Sequence, residues 1–239
     1  LTSTDAATLS PPTATSPFEG ATIVFDLDGT LVETAPDLVG TLNYLLTREG
    51  VAPLPMDQAR LLIGQGAKAL LSRGFSAAGA PLAEPRLSEL FEDFISHYLG
   101  RIADESHPFE GVLEAMETMT AAGARMAVCT NKRTDLSLAL LETLGIADRF
   151  AAIVGGDIVP AQKPAAVHLT ETIQRAGGRL DKAVMIGDSA SDAGAARNAG
   201  VPLVLVSFGY TDTPASELGA DVLIDHFSDL TEACARLLS

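Results

Sequence analysis

Few cysteines, few bases and no long apolar run bound this chain before any motif is read. Its two cysteines, Cys129 and Cys234, lie far apart without metal-type spacing, so no disulfide framework is indicated. Cys129 ends the apolar run Met126–Cys129 and reads as a buried small hydrophobe. A reducing cytoplasm is the expected location. Only 16 Lys and Arg stand against 31 Asp and Glu, a formal net charge of −15. That balance argues against nucleic acid or an anionic membrane surface as a partner. It also requires that an anionic ligand be attracted locally, by a cation or by aimed backbone N–H groups. No apolar run approaches the ~18 residues of a membrane span. His97, His107, His168 and His226 show no ligand spacing and receive no role, and there is no internal repeat.

What is present is ample for a packed core: 47% of the 239 residues are hydrophobic, enough for one large domain or one domain carrying an insertion. Residues 1–20 are rich in Thr, Ser, Ala and Pro and carry no Lys or Arg, unlike a secretory or transit segment. Residues 1–17 are expected to be a disordered extension, with the fold beginning near Phe18.

The stretch Ile23–Leu31 is the most informative. Ala21–Phe25 is a short run of β-formers suited to a strand buried on both faces, and it ends in Asp26, Asp28, Gly29 and Thr30. Acids at i and i+2 on an extended chain project to the same side. Their repulsion has to be offset by a shared proton, a metal ion or both. Gly29 permits a sharp departure of the backbone.

Helical periodicity then runs through Ala35–Glu49, Met56–Ile63, Ala67–Ala78 and Leu82–Ile102, with no strand among them, and His107–Gly111 reads as a linker or turn. From Val112 strands and helices alternate. Strands are expected at Ala124–Thr130, Ala151–Val154, Ala183–Ile186, Leu203–Val206 and Val222–Ile224. Helices are expected at Thr134–Leu144, Pro164–Ala176, Ala190–Ala199 and Ser228–Leu238. The fold class is therefore α/β, a doubly wound parallel sheet covered on both sides. A strand–helix–strand unit needs only about 30 residues, so the first gap is far too long. Its surplus defines an all-helical cap at residues 33–106, inserted into a core of residues 18–32 and 107–239.

Ligands of an open α/β sheet bind beyond the carboxyl ends of its strands. The polar residues there are Asp26 and Asp28, Thr130 and Asn131, Lys163 before Pro164, and Asp188 with Asp192. Each has a bland reading on its own: Thr130 and Asn131 as helix caps, Lys163 as a solvated loop lysine, Gly187–Asp192 as an elaborate N-cap. Pro164 at a first helical position would give Lys163 a defined exit direction. As a set, four carboxylates, a lysine and a hydroxyl at or beside strand ends point to a reaction centre.

The order and spacing of these residues resemble the four motifs of the haloacid dehalogenase superfamily. They are Asp26-Leu27-Asp28-Gly29-Thr30, Thr130 after an apolar strand, Lys163-Pro164, and Gly187-Asp188 with Asp192. The likeness covers the chain from about Ala21 to its end, and a helical cap after the first motif is similar to the family's C1 class. Within it, Thr130-Asn131-Lys132, Gly155-Gly156-Asp157, Ala195–Gly200 and Gly209-Tyr210 most resemble phosphoglycolate phosphatases. Two departures, Ala166 in place of a frequent proline and Ser189-Ala190-Ser191 within the fourth motif, remove no functional group.

The resemblance implies Mg²⁺-dependent hydrolysis of a phosphate monoester through an aspartyl-phosphate, on a small anionic phosphorylated metabolite. Asp26 is then the nucleophile and Asp28 the general acid/base, expected to keep its proton by crowding from neighbouring carboxylates. Asp26, Asp188 and the Asp28 carbonyl are the implied Mg²⁺ ligands. Thr130 and Lys163 would bind phosphoryl oxygens, with Asn131 beside them, and Asp192 would orient Lys163 or support the metal. An acid at Asp28 favours phosphoryl transfer over dehalogenation. In the cap, the turn Gly64-Gln65-Gly66 opening a helix, with Lys68, either reaches into the site or merely joins two helices; Arg73 is a weaker candidate. A sugar-phosphate mutase of the β-phosphoglucomutase type, another small-metabolite or pyrophosphate phosphatase, and a catalytically silent binder are the alternatives.

Overall fold

The computed structural model describes residues 16–239. The expected extension thus lies outside the described residues except for Ser16 and Pro17, and the turn that follows already buries Phe18 in the core.

In chain order the described elements are β1 (Thr22–Phe25), β2 (Val32–Glu33), α1 (Ala35–Arg48), α2 (Met56–Ala59), α3 (Ala67–Ala77), α4 (Glu84–Leu99) and β3 (His107–Pro108). Then come α5 (Val112–Ala121), β4 (Arg125–Thr130), α6 (Thr134–Thr143), β5 (Phe150–Gly155), α7 (Ala166–Arg175), β6 (Ala183–Gly187) and α8 (Ala190–Ala199). Last are β7 (Leu203–Val206), β8 (Val222–Ile224) and α9 (Leu230–Leu237). Six strands form one parallel sheet in the order β5-β4-β1-β6-β7-β8.

The apolar run of β1 is continuous because both faces of the sheet are covered. Ile23 and Phe25 enter the apolar cluster that α5, α6 and α9 share with the insertion helices. Val24 enters a second cluster with Leu169 and Ile173 of α7 and Ala193 and Ala196 of α8. The chain winds outward from β1 in both directions, so the switch in winding falls beside β1 and β6. Asp26 therefore leaves the sheet with Thr130 on one flank and Asp188 on the other.

Helices α1–α4 occupy the long first gap and pack on one another through Leu42, Leu46, Leu70, Phe75, Phe94 and Tyr98, all buried. Only the first turn of the expected helix Met56–Ile63 is α-helical; Arg60–Leu62 is a 3₁₀ turn. The segment expected to be a linker at His107–Gly111 instead begins with β3, paired antiparallel with β2 through Val32↔Pro108 and Glu33↔His107. This two-residue ribbon gathers the entry to and the return from the helical insertion at one place. Pro164 does not open α7, which starts at Ala166, so the expected exit direction for Lys163 has another cause.

Candidate active site

Asp26 prolongs β1 by donating its N–H to Ile186 of β6 at 2.8 Å, which fixes its backbone to the sheet. Its Oδ1 accepts the Leu27 N–H at 2.7 Å and lies 2.8 Å from Nζ of Lys163. Among the described residues no hydrogen-bond donor meets its Oδ2. The same Lys163 ammonium donates to Asp192 Oδ1 at 2.6 Å. Both oxygens of Asp192 are committed, for Oδ2 accepts from the backbone of Asp188 and Ser189 and from Ser189 Oγ at 2.7 Å. Ser189 caps α8 in a box with Asp192, as the N-cap reading of Gly187–Asp192 expects, and the same Asp192 carboxylate reaches Lys163. Lys163 is directed by these two carboxylates and by His168, whose Nδ1 accepts its backbone N–H at 3.2 Å.

Asp188 accepts from Thr30 Oγ1 at 3.0 Å and from the Tyr210 N–H at 2.6 Å. Gly29 has φ of 85° and sits so close that a Cβ there would lie 2.7 Å from Asp188 Oδ2 and 2.8 Å from the Tyr210 ring. The glycine of the first motif thus clears room for the fourth.

Carboxylate oxygens of Asp26, Asp188 and Asp192 all lie within 4.8 Å of one another, and all three side chains are buried. Asp26 and Asp192 share one buried ammonium, Lys163. Burial raises Asp26 to about 7 against the pull of Lys163, and burial with the charges of Asp192 and Asp26 lifts Asp188 well above the carboxylate range. Burial pulls Lys163 down, but Asp192 and Asp26 outweigh it, and its proton is held more tightly than in water. An excess of buried negative charge with oxygen-only donors fits a hard divalent cation. Asp26 and Asp188 are the better placed to hold it, since Asp192 Oδ2 already accepts three hydrogen bonds and its Oδ1 holds the Lys163 ammonium.

Asp28 has different company. Its Oδ1 accepts from Thr34 Oγ1 at 2.8 Å and from Lys132 Nζ at 3.0 Å, and the same ammonium donates to the Tyr98 hydroxyl at 2.9 Å. The expected crowding by carboxylates is therefore not its immediate environment. Lys132 is buried; burial opposes its charge, but Asp28 and Tyr98 outweigh that and its proton too is held tightly. Burial pushes the Tyr98 hydroxyl up to about 12.

Beside Asp28 opens a cavity of about 520 Å³ between the sheet ends and the insertion. The turn Gly64-Gln65-Gly66 and the first turn of α3 line it, and Asn131 ties that turn to the core by donating to Gly64 O and Lys163 O, each at 3.2 Å. Lys68 belongs to the lining, and its ammonium is paired with Glu84, which also lines the cavity, at 3.3 Å and with Ser88. Arg73 instead donates to the carbonyls of Leu61 and Leu62. Thr130 and Asn131 cap no helix, because α6 starts at Thr134 behind Arg133. Thr130 is buried at the end of β4, where its Oγ1 accepts the Lys132 N–H at 3.2 Å.

A family model described as haloacid dehalogenase-like hydrolase matches residues 23–206. The chain belongs to that family. This hydrolase is 55% identical over 220 residues to a Caulobacter vibrioides protein named phosphoglycolate phosphatase, covering 92% of this chain and 93% of the relative. It is 46% identical to one of the same name from Agrobacterium fabrum, covering 88% and 90%. Among solved structures, a predicted phosphoglycolate phosphatase from Haemophilus somnus superposes with a TM-score of 0.83 at 28% identity, covering 90% and 98%. CbbY from Rhodobacter sphaeroides, in complex with phosphate, gives 0.77 at 26%, covering 91% and 99%.

The structure brings Asp26, Asp188, Asp192, Lys163 and Thr30 into one contact network and places Asp28 beside it, on the cavity. Sequence reasoning missed Lys132 and Tyr98. Lys132 stood in the quoted string Thr130-Asn131-Lys132, and a lysine two residues past an apolar strand end was the available signal. Tyr98 had none, being one more apolar position of a helix.

Proposed function

We propose that this hydrolase is a Mg²⁺-dependent phosphatase that cleaves 2-phosphoglycolate through an aspartyl-phosphate on Asp26. The observation that carries the reading is the unlike company of two carboxylates on one strand end. Asp26 lies in a buried acidic cluster beside Lys163, whereas Asp28 lines the cavity that a leaving group would occupy. The names of the relatives, at up to 55% identity, support the substrate.

In this reading a carboxylate oxygen of Asp26 attacks phosphorus in line, and the bond from phosphorus to the glycolate oxygen breaks. Asp28 gives that oxygen its proton. Asp28 then takes a proton from water, the water oxygen attacks phosphorus, and the bond to Asp26 breaks, returning the carboxylate. Lys163 and the Thr130 hydroxyl bind equatorial phosphoryl oxygens, and Asp192 holds Lys163 in place. Asp26, Asp188 and the Asp28 carbonyl would hold Mg²⁺, which when bound would supply positive charge towards the phosphoryl oxygens and favour the ionised form of the nucleophile. Residues 33–106 act as a cap that sets specificity on a core of residues 18–32 and 107–239. A cytoplasmic location accords with two buried, unpaired cysteines. Among the described residues no helix is long and apolar enough to cross a membrane.

The test is phosphate release with and without Mg²⁺ from 2-phosphoglycolate, glucose 1-phosphate, pyrophosphate and sugar phosphates, with Asp26→Asn as control. The expected outcome is Mg²⁺-dependent release with the highest kcat/KM for 2-phosphoglycolate and none from Asp26→Asn. Equal, low rates across the panel would remove the substrate, and wild-type rates in Asp26→Asn would remove the mechanism.

A further inference from the structure

Three cations line the cavity beside Asp28: Lys68, Lys132 and Arg133. Lys68 is half-exposed and drawn to Glu84, and Arg133 is turned to Asp135 in a two-pronged pair at 3.1 and 2.7 Å. Lys132 alone is buried, and it already holds a carboxylate, that of Asp28, at 3.0 Å. Its second contact leaves a donor to spare. Because Lys132 donates to Tyr98 Oη, the hydroxyl proton of Tyr98 points elsewhere, and among the described residues it has no acceptor. Tyr98 is wholly buried, its ring 4.5 Å from the ammonium, and it lines the cavity. A buried donor without an acceptor is costly unless a ligand supplies one.

We infer that Lys132 of the core and Tyr98 of the insertion together receive the substrate's carboxylate, and so select phosphate esters whose leaving group carries an acid one carbon away. The inference rests on the phosphatase reading above. Asp28 supplies the spacing. If it protonates the leaving oxygen, that oxygen touches a carboxylate whose other neighbour is Lys132, and a carboxylate on the next carbon reaches the ammonium. The substrate carboxylate then takes over a contact that Asp28 makes in the free protein, and Tyr98 adds a hydrogen bond from its hydroxyl, 2.9 Å from the same ammonium. The cavity is roomier than a two-carbon acid fills, so selection lies in where the charges sit rather than in shape. This differs from the expectation that the Gly64–Lys68 turn carries the recognition, since the Lys68 ammonium is already paired with Glu84 and Ser88.

The test compares 2-phosphoglycolate with ethyl phosphate, which has the same two carbons but no acid, in wild type, Lys132→Gln, Tyr98→Phe and Lys68→Gln with Mg²⁺. The ratio of kcat/KM for the two esters should fall about 100-fold or more in Lys132→Gln, mainly through KM, and about 10-fold in Tyr98→Phe. Ratios within about threefold of wild type in both variants overturn the inference, as does a larger loss in Lys68→Gln than in Lys132→Gln. Should Lys132→Gln fail to fold, Tyr98→Phe, which removes one oxygen atom, decides. A wild type without preference for 2-phosphoglycolate would instead refute the substrate reading itself, and is seen in the first arm.

Discussion

His168 has one possible tautomer in this fold, and it was given no role from sequence. Its Nδ1 accepts the Lys163 N–H, so Nε2 carries the proton and donates to Val154 O at 3.1 Å. Burial, with the charge of Lys163, lowers its pKa from 6.5 to about 4. The unfolded chain therefore takes up a proton near pH 6.5 that the folded chain refuses until about pH 4. Its contribution is complete above the higher value, is lost as pH falls through that window, and then levels off. Across the window the loss is about 3 kcal/mol. Urea unfolding of wild type and His168→Gln should show their stability difference shrinking by about that amount between pH 7 and pH 4; a constant difference would contradict the assignment. At the same scale Gly209 faces Asp188 so closely that a Cβ would lie 2.1 Å from the aspartate Cβ. Gly209→Ala should displace the Asp188 carboxylate and weaken Mg²⁺ binding at least tenfold by calorimetry, about the loss seen when groups supporting a ligand are removed. Unaltered affinity would show that the loop yields at no cost.

The elements were legible where one period ran long enough to register. The continuous apolar strands and the amphipathic α1 and α4 fall within a few residues of expectation. The β2–β3 ribbon was not legible, because a strand of two residues has no period and its partner lies far along the chain. What fastens it is also long-range. The Tyr210 hydroxyl accepts the N–H groups of Thr34 and Ala35 at 2.8 and 3.0 Å and donates to the Glu33 carboxylate. On the return side, buried Asp37 accepts from the Ser106 N–H and Oγ and from the Glu105 N–H. Tyr210→Phe leaves the Thr34 N–H without its acceptor, while the Ala35 N–H keeps Glu33 Oε1 at 3.2 Å, and should cost about 1–3 kcal/mol in unfolding free energy. No change in the unfolding midpoint would mean that the ribbon is held by backbone pairing alone. For the site, the motif carboxylates and Lys163 were legible because strand ends converge in an α/β sheet. Lys132 and Tyr98 were not, because their contact depends on how α4 lies against the core.

For the whole molecule the dominant fact is negative charge, −15 overall and concentrated at Asp26, Asp188 and Asp192. A cation that binds the folded chain and relieves this repulsion must stabilise it. Mg²⁺ should raise the Tm of wild type but not of Asp188→Asn. The rise should be larger at pH 8 than at pH 6, since Asp26, raised to about 7 by burial, must lose its proton to bind metal. Equal shifts at both pH values would place the ion elsewhere. The most direct test of the account as a whole is to locate the phosphoryl group during turnover. The protein is mixed with 2-phosphoglycolate and Mg²⁺, quenched in acid within the first turnovers, digested and mapped by mass spectrometry. The account predicts a phosphoryl group on the peptide containing Asp26, and none in Asp26→Asn. A phosphoryl group on another residue, or turnover by Asp26→Asn at the wild-type rate, would contradict it.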